Sequence, residues 1–234
     1  MPKIVILALI LALTLIPGVS ARPSWITTGA YVKYDQMFSW SAGSQTEPMT
    51  WNITGLSGST ADVQTTAYSY NVTNGHVNFF PTGDMWKVDT ETREITNSST
   101  GVTGLKNPFW IESGVGMGST VDAYFGTTAS IQQSETIGVL SRNVDCWKVS
   151  MSMGPQMMQR WYDPATGIVL RIDSSISRYG IVMNVKESGA TSNIAMIGTG
   201  STGGGWLSLW PYLAALAVVA VVVVAGALAY RRRH

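Results

Sequence analysis

Trp161-Tyr162-Asp163-Pro164-Ala165-Thr166-Gly167-Ile168-Val169-Leu170 reads as the end of one strand, a tight turn and the start of the next. Asp suits the first position of such a turn. Pro suits the second, because its ring already holds φ near the value required there. Gly167 accepts the left-handed conformation that closes a bulged hairpin. Working outward, the same period of two recurs along the chain. Ile168, Leu170 and Ile172 alternate with Arg171 and Asp173, and Trp147, Val149, Met151 and Met153 with Lys148, Ser150 and Ser152. Val32, Tyr34, Phe38 and Trp40 alternate with Lys33, Asp35 and Ser39, and Ile181, Met183 and Val185 with Asn184 and Lys186. Each set predicts a strand with one apolar and one wet face. Further turn signals stand at Asn74-Gly75, Pro81-Thr82-Gly83-Asp84 and Gly154-Pro155. The fold class is therefore all-β, a strongly curved antiparallel sheet of about eight to twelve strands. A closed barrel or a sandwich is the alternative. One helical turn or two are expected near Asn107 to Glu112.

Trp86-Lys87-Val88-Asp89-Thr90-Glu91-Thr92-Arg93 echoes the opening stretch, since both carry Asp-x-x-Thr after an aromatic strand. The reading is two similar hairpins rather than a formal repeat. An aromatic strand, Tyr162-Asp163-x-x-Thr166-Gly167 and an apolar alternating strand, preceded by Cys146-Trp147-Lys148-Val149, resembles a group of archaeal membrane-anchored proteins. More distantly it is similar to the lipoprotein-carrier half-barrels of bacteria (LolA/LolB-like), in which a curved antiparallel sheet wraps an apolar groove. The resemblance spans Tyr31 to Asp173 and implies a half-barrel. It transfers no functional residue, because the motif specifies a turn.

Both ends of the chain carry membrane signals. Lys3 precedes an apolar run from Ile4 to Ile16, then Pro17-Gly18 and the small-residue site Val19-Ser20-Ala21. That run spans about 20 Å as a helix, short of the roughly 30 Å hydrocarbon core, so residues 1–21 read as a cleaved signal peptide. Leu207 to Tyr230 holds no charge and reaches about 36 Å as a helix, enough to span. Trp206, Trp210 and Tyr212 flank it on one side and Arg231-Arg232-Arg233 on the other, which places the C-terminus in the cytoplasm. The expected organisation is a signal peptide (1–21), an extracellular β-rich domain (22–186) and a flexible Gly/Ser/Thr tether (187–205). A transmembrane helix (206–230) and a cytoplasmic basic tail (231–234) complete it.

All 14 acidic residues fall between the two ends, while Lys3 and the three terminal arginines do not, so the outer domain is mildly acidic. That balance excludes a nucleic-acid partner. Cys146 is the only cysteine, so no intrachain disulfide forms. Of the two histidines, only His76 lies in the domain, beside a turn, and no nucleophile elbow accompanies it. Gly114-Val115-Gly116-Met117-Gly118 lacks phosphate-loop spacing. Asp89, Glu91 and Glu94 form the one acidic cluster, read as turn and solvated edge. Met151, Met153, Met157 and Met158 form a thioether cluster that suits Cu(I), although methionine more simply pads a hairpin. Asn52, Asn71 and Asn97 head the sequons and mark candidate glycosylation sites.

No catalytic constellation or cofactor is expected. The leading expectation is a non-enzymatic surface module of the cell membrane. Its partners are the bilayer, through the C-terminal helix, and an apolar ligand or cell-envelope protein. A structural envelope or adhesion component is second, and an extracellular enzyme third. The aromatic load motivates the ligand. All five phenylalanines and most of the nine tryptophans and nine tyrosines lie in the domain. One sheet with little helix must cover its apolar face by closing, by taking a lid or by holding a guest. Trp147, Val149, Met151, Leu170 and Ile172 are the candidate lining residues. The alternative is that these side chains pack against one another.

Overall fold

A computed structural model describes residues 22–112, 115–154 and 156–199. The expected signal peptide, membrane helix and basic tail lie outside these residues. Among the described residues no helix is long and apolar enough to cross a membrane. Among these residues eleven strands form one antiparallel sheet: β1 (Tyr31–Trp40), β2 (Gly43–Ser57), β3 (Thr60–Thr73), β4 (His76–Asp89), β5 (Ile95–Ser98), β6 (Thr120–Tyr124), β7 (Thr127–Val139), β8 (Arg142–Met153), β9 (Gln156–Tyr162), β10 (Val169–Arg178) and β11 (Ile181–Ser192). Their order is β5-β4-β3-β2-β1-β11-β10-β9-β8-β7-β6. The first strand thus pairs with the last at the centre, and two meanders run outward from that seam. The sheet is single and open, ending at β5 and β6, so neither the closed barrel nor the sandwich forms among the described residues.

Local chemistry selects the meander. Four hairpins close on two residues that are both left-handed: Asn74-Gly75, Phe125-Gly126, Leu140-Ser141 and Tyr179-Gly180. Such turns match the twist of antiparallel strands. Leu140 bears the strain without glycine because its surroundings hold it. Its N–H donates to Gly189 O at 2.8 Å, and its side chain lies over Gly189, where no Cβ intervenes.

In β1, Val32, Tyr34, Gln36 and Phe38 are buried while Lys33 and Asp35 are exposed, the alternation that the sequence predicts. The face bearing Tyr34 and Trp51 is the inner face. A run of rings crosses it: Trp25 lies 5.4 Å from Trp110 and 6.0 Å from Trp51, and Phe109 lies 5.8 Å from Trp51 and 5.4 Å from Trp86. Trp86 in turn meets Phe125 at 5.9 Å, so side chains near the two ends of the strand order touch. Each such pair adds about 0.5–1.5 kcal/mol beyond the area it buries. The polar atoms are served: Trp51 Nε1 donates to Tyr34 Oη (3.0 Å) and Tyr34 Oη to Val169 O (2.6 Å). Burial pushes the Tyr34 phenol well above its ordinary range.

The expected helical turn at Asn107–Glu112 does not form, and an extended strap stands in its place. Asn107 N donates to Arg93 O and Ile111 N to Gly167 O, both at 2.9 Å, while Phe109 O accepts from Val169 N. Pro108 has no N–H to give a helix, and the Asn107 and Ile111 donors are claimed by two turns, while Phe109 N donates to Asn107 Oδ1. Those turns are near copies. In one, Asp163 Oδ2 accepts from Thr166 N and Oγ1 (2.9 and 2.6 Å), and Asp163 O accepts from Gly167 N (2.8 Å). In the other, Asp89 Oδ1 accepts from Thr92 N and Oγ1 (2.7 and 3.0 Å), and Asp89 O from Arg93 N (2.8 Å). Gly167 (φ 73°) and Arg93 (φ 64°) occupy the same left-handed position. The Asp-x-x-Thr echo is therefore a geometric one, and the strap bonds to both copies.

The Pro81-Thr82-Gly83-Asp84 turn signal is also corrected, because β4 runs through it unbroken. β2 pairs with β3 only from Thr50↔Thr66 to Ser57↔Thr60, so beyond Thr66 the β3–β4 hairpin leaves the sheet as a two-stranded arm. Gly83 sits at the departure point, where a Cβ would meet Thr65 O at 2.7 Å. The buried side of the hairpin also changes there, from Ala61, Val63 and Thr65 to Tyr68 and Tyr70. The ribbon twists and lays Tyr70 and Phe79 against Phe38, at 6.4 and 4.9 Å.

The expected tether is corrected in part. β11 extends to Ser192 beside β1, and Ile194 and Ile197 are buried beyond it. Gly198 N donates to Asp163 Oδ1 at 2.9 Å, and Arg142 Nη2 to Ile197 O. A Ser- and Gly-rich strand is possible here because its neighbours supply the ladder. Residues 200–205 of the expected tether lie outside the described residues.

Candidate ligand-binding face

The five candidate lining residues lie on β8 and β10, two strands apart with β9 between them. Cross-strand rows place Trp147 opposite Tyr162, Val149 opposite Arg160 and Met151 opposite Met158, with Arg160 opposite Ile172. Leu170 occupies a bulge between Val169 and Arg171. Val149 and Leu170 are fully buried, Met151 and Ile172 nearly so, and Trp147 partly. The chain itself therefore covers these side chains. Open surface concavities lie elsewhere, one between Asp35, Leu140 and Ser188 and another between Met37, Met157 and Lys186.

The methionine cluster does not assemble as four ligands. Met151 and Met158 form a cross-strand pair, whereas Met157 points to the other face, exposed, with Ser152 Oγ 3.0 Å from its sulfur. The side chain of Met153 lies outside the described residues. Among the described residues no group of three His, Cys, Asp or Glu side chains converges for a metal. Asp89, Glu91 and Glu94 serve the turn, with Asp89 accepting from Glu91 N at 3.0 Å. Hydrogen bonds from Thr92 hold the Asp89 carboxyl below its ordinary value. Asn71 and Asn97 are exposed on β3 and β5, and Asn52 is partly buried on β2. His76 is exposed at the arm tip, opposite Thr73. Cys146 is buried and its thiol is pushed up by that burial.

The inner face also holds polar groups that periodicity did not single out. Gln36, Glu187, Ile172, Arg160 and Val149 form one cross-strand row. Gln36 Nε2 donates to Glu187 Oε1 (3.0 Å), and Gln36 Oε1 accepts from Tyr68 N (3.0 Å). Tyr68 lies just beyond the point where β3 loses its ladder with β2, so the Gln36 side chain supplies the missing acceptor and pins the arm. Burial raises the Glu187 carboxyl, and the Arg160 charge opposes that rise. Arg160 stands in phase with Met158 and Tyr162, a signal present in the sequence. It is masked because Trp161, out of phase, is buried as well. On the outer face Trp161 lies between Lys148 (4.9 Å) and Arg171 (4.5 Å), and its Nε1 donates to Glu135 Oε2 at 3.1 Å. That indole and Lys148 hold the Glu135 carboxyl low.

No protein-family model matches the chain, and no curated protein matches it either.

Proposed function

We propose that this chain is a non-enzymatic, single-pass module of the cell membrane, with its β domain outside the cell. Its half-barrel-like sheet holds an apolar ligand beneath the β3–β4 arm. The observation that carries the reading is the arm. Among the described residues, its Ala67–Thr73 strand has ladder bonds only to β4, and aromatic packing plus the Gln36 bond tie it to the face it covers. A cover joined by side chains opens at lower cost than a strand joined by a full ladder. Phe38, Met183 and Val185 beneath it form a core cluster separate from the main one. The apolar stretch from Leu207 to Tyr230 and the three arginines after it support the anchor.

Native mass spectrometry of the full chain, extracted in mild detergent, tests the proposal. The expected result is a retained apolar molecule that is lost when Tyr70 and Phe79 are both changed to Ser. A clean apo mass under several extraction conditions, with no uptake of added lipid, would refute it. A structural role in the envelope is the second reading, favoured by the filled run from Trp25 through Trp51 to Trp110.

A further inference from the structure

Three buried side-chain polar atoms lack a hydrogen-bond partner among the described residues: Arg160 Nε, Tyr70 Oη and Trp110 Nε1. All three carry a hydrogen to donate, so the deficit is one of acceptors. Arg160 is the most exacting case. The residue has no exposed surface, and one guanidinium nitrogen donates to Ala123 O. The rings of Tyr124 and Tyr162 stand 5.3 and 5.9 Å from its guanidinium carbon. No carboxylate among the described residues stands at ion-pair distance. Glu187 shares its row, but Ile172 lies between them and Gln36 holds the Glu187 carboxylate. The other buried arginine differs. Arg93 donates to Trp110 O, Asp122 O and Glu112, so its guanidinium is fully engaged. A buried cation is retained when it is paired and hydrogen-bonded; among the described residues Arg160 makes one hydrogen bond and no ion pair, whereas Arg93 has several bonds and an ion pair with Glu112.

We infer that the inner face beneath the arm takes a single-chain amphiphile with an anionic head, the head seated against Arg160 and the chain lying along Met158, Val185 and Phe38. This rests on the apolar-ligand reading proposed above and adds the chemistry of the head. Met158 and Val185 stand one row from Arg160, toward the arm, with Phe38 opposite Val185. The chain thus runs under the Tyr70 and Phe79 rings, and the anionic oxygens meet the unpartnered Nε–H. A carboxylate or a phosphate head satisfies this chemistry equally. A neutral alcohol head does not, because it brings no counter-charge to the buried guanidinium.

The test uses the full chain in nanodiscs with a photoreactive diazirine fatty acid, followed by peptide mapping of the label. Label is expected on peptides carrying Met158, Val185 or Phe38. Unlabelled oleate should compete at least about tenfold better than oleyl alcohol, because only the acid brings a counter-charge to the buried guanidinium. A third competitor, oleyl phosphate, distinguishes a phosphate from a carboxylate head. In Arg160→Met the preference for the anion should vanish while label persists, and in Arg160→Lys part of it should return. Should Arg160→Met fail to fold, the wild-type competition decides alone. Equal competition by acid and alcohol overturns the inference and leaves the apolar-ligand reading intact. Absence of label from the whole domain overturns that reading itself.

Discussion

Replacing Gly167 by Ala tests the joint between the strap and its turn. Two costs arise. Gly167 has φ 73°, a left-handed conformation that costs an L residue about 1 kcal/mol. The second cost is steric, because an added Cβ would stand 2.5 Å from Ile111 O and 3.3 Å from its carbonyl carbon. Both groups are backbone, so neither swings aside as a side chain would. The strap must move, which weakens the 2.9 Å bond from Ile111 N to Gly167 O, worth about 1 kcal/mol. It also loosens the seats of Trp110 and Ile111, for roughly another 1 kcal/mol. The expected loss is about 3 kcal/mol, and more for Gly167→Val, whose branched side chain resists positive φ further. Urea unfolding of residues 22–199, followed by tryptophan fluorescence, reads it as a lowered midpoint at unchanged slope. Arg93 is the internal comparison. It carries a Cβ at φ 64°, so left-handed backbone alone is tolerated in this turn and the steric cost should dominate at Gly167. A loss below about 0.5 kcal/mol, typical of an indifferent surface position, would refute the argument.

Other outcomes are expected. A chain cut after Lys186 should lack β-rich circular dichroism, whereas one ending at Thr199 should show it. The shorter chain removes the last residues of β11 from the sheet centre and uncovers two isoleucine sites worth about 1.5–3 kcal/mol each. A folded 22–186 chain would contradict that role. Gln36→Leu should speed amide exchange at Tyr68 by at least about tenfold, since the side-chain acceptor of that N–H is lost. Unchanged exchange would show that the arm is held by ring packing alone. Asp84 accepts from the hydroxyls of Ser98, Ser99 and Thr100 and from Trp86 Nε1, and its carboxyl is held far below its ordinary value of 3.8 although burial opposes this. Its folded pKa is depressed, so its contribution is complete above about pH 3.8 and is lost as pH falls below that. Asp84→Asn should flatten the acid limb of a stability–pH curve, and an identical limb in the variant would remove Asp84 from the account.

The period of two along β1, β8, β10 and β11 and the Asp-Pro-Ala-Thr-Gly turn were legible because they are local. Side-chain alternation and turn φ values depend on neighbours a few residues away. The same holds for the match between the Asp89 and Asp163 turns, which repeat one set of short-range bonds. Residues 107–112 were not legible, because their donors are claimed by Arg93 and Gly167, partners distant in sequence. Nor was Pro81–Asp84, where Gly83 lets β4 press against Thr65 instead of turning. Residues 187–192 have the composition of a linker, and they form a strand because β1 and β10 supply hydrogen bonds that their own side chains could not favour. The buried state of Arg160 and the pinning of the arm by Gln36 arise only when strands far apart in the chain lie side by side. Sequence alone thus determined that alternating strands and tight turns would build a sheet. Tertiary structure decided where the sheet opens, which segment straps it and which charge it buries, because each depends on long-range contacts that no local pattern encodes.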